Sequence, residues 1–170
     1  MDRDANRLIA EIEAYGLRLL VGGQSNFNAD RMSADELIAS LVQHPDARLH
    51  VGLMSLLLYR PSLVMYMNRA LERLAGDYCV KLKLYYTASA FLSNKYSQQL
   101  HSMIANWKIL PDTYSRELGV QPSGDADENL RSLAKRHFEL TNYCANWLGT
   151  YDNVARRLIT RLERESQWAI

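Results

Sequence analysis

The sequence predicts an all-α fold, a single helical domain over residues 1–170 built as a bundle of about seven helices. Three observations carry the prediction. Apolar residues recur at three- and four-residue spacing along nearly the whole chain. Helix starters (Ser, Asp, Pro) and Gly stops punctuate that pattern. Only residues 17–23, LRLLVGG, have the look of a strand, and no second strand is present to pair with it. The 170 residues are 48% apolar and 23% charged, a mix that excludes wholesale disorder and can fill one core. Net charge is +1, so no global field draws in nucleic acid or membrane, and such binding would need a local patch.

The first helix spans about residues 3 to 15, with Leu8, Ile9, Ile12 and Tyr15 on one face and Gly16 as its stop. Residues 17–23 read as a helix tail running into a loop, and 22–32, rich in Gly, Asn and Ser, as that loop. Ser33-x-x-Glu36 forms a capping box for a helix through Leu37, Ile38, Leu41 and Val42. His44-Pro45-Asp46 breaks it, and Asp46 caps the next helix through Tyr59. Pro61 opens another, stopped at Gly76. Asp77 caps a long helix from 78 to about 106, with a stripe from Val80 through Phe91 to Ile104. Pro111 opens a short helix ending at Gly119, and QPSGDAD at 121–127 is a loop. Asp127 caps a helix through Leu130, Phe138 and Cys144 that Gly149 ends; Thr150 caps the last, roughly 151 to 167.

Residues 37–57 resemble a single HEAT-type hairpin: Leu at helical spacing, a Pro45-Asp46 turn, then Arg48 and an apolar second helix. A shift of 31 residues lays Asp46, Leu49, Val51 and Leu53 over Asp77, Val80, Leu82 and Leu84, but no third copy follows.

A cytoplasmic protein is expected. The start, MDRDANR, is charged in both signs and unlike a secretory signal. The longest apolar stretch, Val51 to Tyr59, is less than half of the roughly twenty residues a membrane span needs. Two cysteines, Cys79 and Cys144, form neither a disulfide framework nor a zinc motif and are expected to stay reduced.

The most tempting catalytic signal is Arg131 with His137. It resembles the Arg-x(4–6)-His pattern of HEPN-type ribonucleases, where Arg and His polarise a scissile phosphate and move protons; His titrates near neutrality, as that role needs. Chance alone supplies about one such match in a chain with fifteen Arg and four His. The two also sit about 240° apart around an ideal helix, so a bend or a dimer would be needed to bring them together. LRLLVGGQSNF resembles the start of minimal nucleotidyltransferases, but the next acids, Asp30 and Asp35, lack the Asp-x-Asp spacing that holds magnesium. Asp125, Asp127 and Glu128 read as helix-start acids. His44, His50, His101 and His137 show no metal-ligand spacing. No metal and no cofactor are expected.

The best binding feature is the last helix. Arg157, Arg161 and Arg164 recur at i, i+4 and i+7, with Arg156 at the margin. Guanidinium forks suit phosphate and carboxylate, though Glu163 and Glu165 also fit a solvated salt-bridged face. Ten Tyr and three Trp are many beside three Phe. Tyr85, Tyr86, Trp147 and Tyr151, with Tyr59, Tyr66, Tyr143 and Trp168, carry polar tips that favour half-buried surfaces and interfaces. Met54, Met65 and Met67 fit an adaptable contact surface or a gap-filled core.

Four phrases, HPDARLHVGLMSLLLYRPSLV at 44–64, LKLYYTASAFL at 82–92, LPDTYSRELG at 110–119 and NWLGTYDNVARRL at 146–158, resemble a group of uncharacterised prokaryotic helical proteins associated with small nucleotidyltransferase genes. The likeness covers about two-thirds of the chain and transfers no active-site residue. It implies a partner or regulator in a toxin–antitoxin or defence-type module. The sequence thus predicts a non-enzymatic interaction protein that binds a protein partner through Arg156, Arg157, Arg161, Arg164, Tyr85, Tyr86, Trp147 and Tyr151. The alternatives are a metal-independent ribonuclease and a nucleic-acid-binding regulator using the last helix; a homodimer is compatible with each.

Overall fold

The amphipathic stripes assemble around one very apolar helix. A computed structural model describes residues 2–18 and 30–169. Among them are eight α-helices, α1 (Arg3–Ala14), α2 (Ala34–Gln43), α3 (Ala47–Tyr59), α4 (Met67–Glu72), α5 (Asp77–Lys95), α6 (Ser97–Met103), α7 (Ala126–Thr141) and α8 (Trp147–Trp168). A 3₁₀ turn, Pro61–Tyr66, joins α3 to α4, and no strand occurs among the described residues. The fold is an all-α helical bundle. Residues 19–29, which contain most of the ambiguous LRLLVGG run and the Gly22-Gly23 turn, lie outside the described residues.

Helix α5 is the axis. Leu84 to Ser93 are buried without a gap, on every side of the helix. A helix so enclosed must satisfy its polar side chains locally. Thr87 Oγ1 donates to the Lys83 carbonyl at 2.7 Å, Ser89 Oγ to Tyr85 at 3.0 Å, and Ser93 Oγ to Ala90 at 2.7 Å. Helices α2, α3, α6, α7 and α8 pack around it. One continuous core runs from Ala5 in α1 to Leu162 in α8.

Several helix ends match the sequence signals. Gly16 stops α1 at φ +92°, and its N–H reaches the Glu13 carbonyl. Asp46 caps α3, accepting from the Arg48 N–H at 2.9 Å. The Pro45-Asp46 turn joins α2 and α3 as expected of a hairpin, but a 3₁₀ turn and the six-residue α4 follow, not a second long pair.

Other helix ends differ from the sequence signals. The predicted helix from Pro61 begins as the 3₁₀ turn. Ser33 stands at the α2 N-cap without a side-chain cap bond. Gly76, at φ +60°, holds the α5 N-cap, and Asp77 falls inside the first turn. The long helix breaks at Tyr96, whose hydroxyl donates to Asp152 Oδ1 at 2.8 Å. The expected helix after Pro111 is a set of hydrogen-bonded turns, anchored by Tyr114, Leu118 and Val120 in the core. Helix α7 is capped by Asp125, and it stops at Asn142, which adopts a left-handed conformation at φ 52°. Asn146 then caps α8, four residues before Thr150.

Candidate functional site

The α7–α8 corner is where the predicted catalytic and aromatic residues meet. Leu130, Leu133 and His137 share the inner face of α7 at helical spacing. His137 is 1% exposed. Trp147, the first residue of α8, lies flat on its ring, with centroids 3.5 Å apart and planes within 9°. One turn on, the Tyr151 hydroxyl shares a 2.6 Å hydrogen bond with His137 Nδ1. Tyr85 from α5 meets the imidazole edge-on, at 5.6 Å between centroids. Its hydroxyl lies 3.2 Å from His50 Nδ1, while His50 Nε2 reaches the His44 carbonyl at 2.8 Å. A carbonyl only accepts, so His50 carries its proton on Nε2 and accepts at Nδ1 from Tyr85.

The protonation states follow from burial. Desolvation, with the Lys81 ammonium and His50 nearby, pushes the His137 pKa down to about 3. Desolvation also lowers His50, raises Tyr85 to about 12 and raises Tyr151. The cluster at neutral pH is two uncharged imidazoles and two phenols in two hydrogen-bonded pairs, His137 with Tyr151 and the partly buried His50 with Tyr85, which meet where Tyr85 packs edge-on against His137. Arg131 stands on the exposed side of the same helix. The structure therefore does not bring Arg131 and His137 to one phosphate: one faces water and the other faces the core.

The aromatic half of the predicted partner surface lies inside the bundle. Tyr85 is 2% exposed, and Tyr86 and Tyr151 are fully buried. Tyr86 donates to the Pro111 carbonyl at 2.9 Å and takes Tyr114 edge-on. Trp147 is half-buried. Their polar tips found partners within the fold, and interface burial is not needed to explain them. Met54 and Met67 are core residues, and Met65 is exposed. Asp125 caps α7 and Asp127 pairs with Lys95 at 2.7 Å, which accounts for two of the three helix-start acids. Among the described residues no group of His, Cys, Asp or Glu could hold a metal ion, and no helix is long and apolar enough to cross a membrane.

The arginines have the opposite fate. Tyr151, Val154, Ala155, Leu158 and Leu162 bury the inner face of α8, which turns the arginine face outward. Arg156, Arg157, Arg161 and Arg164, with Thr160, line a groove of about 360 Å³ that Arg18, just beyond α1, also lines. A second hollow of about 510 Å³, lined by Arg161, Arg164, Glu165, Trp168 and Ala169, continues toward the end of α8. The two share two arginines and form one trough along α8. At 1.5 Å per residue it is about 20 Å long.

Two of the five arginines are neutralised: Arg156 pairs with Asp152 at 2.7 Å and Arg161 with Glu165 at 2.8 Å. Among the described residues Arg18, Arg157 and Arg164 have no carboxylate within ion-pair distance, and residues 19–29 contain no acid. Trp168 is 88% exposed at the far end. Arg18 escaped the sequence reading because 138 positions separate it from Arg156, and no short-range pattern joins them.

No known family model, curated protein or solved structure matches the chain.

Proposed function

We propose that this chain is a non-enzymatic interaction protein whose α8 trough takes an acidic segment of a protein partner. One observation carries the reading: guanidinium groups from two distant parts of the chain line one surface trough, and three have no acidic partner among the described residues. Like charges gathered in this way repel and disfavour the free fold. A ligand carboxylate relieves that repulsion and fits the guanidinium fork bidentately. An exposed Trp beside arginines is also the composition of a protein-interface anchor. The placement of Arg131 and His137 on opposite sides of α7 favours binding over catalysis. The resemblance of four phrases to prokaryotic helical proteins supports a cytoplasmic regulator in a toxin–antitoxin or defence-type module.

The test compares fluorescently tagged poly-glutamate with a single-stranded RNA of similar charge by anisotropy. Poly-glutamate is expected to bind in a salt-dependent way, and Arg157→Ser with Arg164→Ser to weaken it at least about tenfold. Thermal stability should stay within about 0.5 kcal/mol, because both side chains are exposed. RNA binding that outcompetes the peptide would instead make the chain a nucleic-acid-binding regulator.

A further inference from the structure

The trough has a direction and a repeat, and these describe its occupant. Arg157, Arg161, Arg164 and Trp168 stand at i, i+4, i+7 and i+11 of α8. At 100° per residue these four fall within about 60° of one another, so they form one stripe parallel to the helix axis. The stripe is about 16 Å long: three guanidiniums, then an indole one turn further on. The helix also runs past the core that supports it. Leu162 is its last buried residue, and every residue from Glu163 to Ala169 is exposed. A helix in water is stabilised chiefly by packing one face. The final turns of α8 have no such packing from the described residues, and the trough is the side on which it would form.

From this we infer that the occupant is an amphipathic helix lying along α8, with acids at i, i+4 and i+7 and a large apolar residue at i+11 against Trp168. The inference rests on the functional reading above and specifies the shape of the partner. A helix alongside α8 repeats the rise of its arginines, so its first and third carboxylates meet Arg157 and Arg164, unpaired among the described residues, while the middle one competes with Glu165 for Arg161. An extended strand presents same-face side chains about every 6.7 Å and falls roughly 3 Å out of step by Arg164. Arg18, from outside α8, lines the same hollow and adds a further guanidinium beside the arginine row.

The experiment titrates the full chain with two capped, Ala-rich peptides of identical composition. In one, three Glu and a Leu occupy i, i+4, i+7 and i+11. In the other the same residues are shuffled around the helix. The face-patterned peptide is expected to bind about tenfold more tightly, and to gain helicity by circular dichroism on binding. Trp168→Ser should weaken the patterned peptide several-fold and leave the shuffled one unchanged, with no shift in melting temperature, since Trp168 is exposed. Equal affinities for the two peptides would overturn the helical occupant while leaving a charge-reading trough in place. Failure of both peptides and of poly-glutamate to bind would overturn the functional reading as well.

Discussion

Acidification should weaken this protein through His137, and the size of the effect follows from the site. The imidazole is 1% exposed, under Trp147 and bonded to Tyr151. Its pKa in the fold is pushed down to about 3, against about 6.5 in an unfolded chain. The folded pKa lies below the unfolded one, so the unfolded state binds the proton first. Stability is full above about pH 7 and declines as pH falls through 6.5 toward 3. Between pH 7 and pH 5 the unfolded histidine is almost wholly protonated and the folded one is not. That difference is worth about 2 kcal/mol, or roughly 4–8 °C in melting temperature for a chain of this size. The comparison is urea unfolding at both pH values, for the native chain and for His137→Leu with Tyr151→Phe. The double substitution removes both partners and strands neither. The native chain should lose about 2 kcal/mol more than the variant over this range. Parallel losses would mean that the folded imidazole titrates normally, that water reaches it, and that the account of a buried neutral imidazole is wrong.

Two further outcomes test the fold. Gly119 has φ +81°, and a Cβ there would stand 3.1 Å from Arg136 Nε, which donates to the Leu118 carbonyl at 2.8 Å; Gly119→Ala should cost about 1–2 kcal/mol in chemical denaturation, from left-handed strain alone. Asp46→Ala removes the α3 cap and its bond to the Arg48 N–H, and should lower stability by about 1 kcal/mol, seen as a drop of roughly 2–4 °C in melting temperature.

Local chemistry was legible wherever a residue decides its own surroundings. Gly16, Pro45-Asp46 and the Leu130–Leu133 stripe act over a few positions, and the structure follows them. Several misplaced boundaries turn on which of two neighbouring residues caps, as with Asp125 before Asp127 and Asn146 before Thr150. At the Tyr96 break, the hydroxyl's partner is Asp152, 56 positions away, which no local pattern points to. The aromatics show the same limit. An excess of Tyr over Phe indicates polar tips needing partners, but His50, His137 and the Pro111 carbonyl supply them only after folding. For the arginine row, periodicity sufficed to place Arg157, Arg161 and Arg164 together, since one helix carries all three. That Arg18 joins them is a tertiary fact.

The bare end of α8 also sets how the trough would be regulated. Amides in turns without tertiary support open at almost no free-energy cost, whereas those beside Val154 and Leu158 open only with the whole domain. Two exchange regimes are expected along one continuous backbone. Ordering its tail on binding carries an entropic charge that any Gly or Ala placed between Glu163 and Gln167 would raise or lower. Affinity can drift through those exposed positions over evolutionary time without disturbing a single core contact, and slowed deuterium uptake there would report occupancy directly.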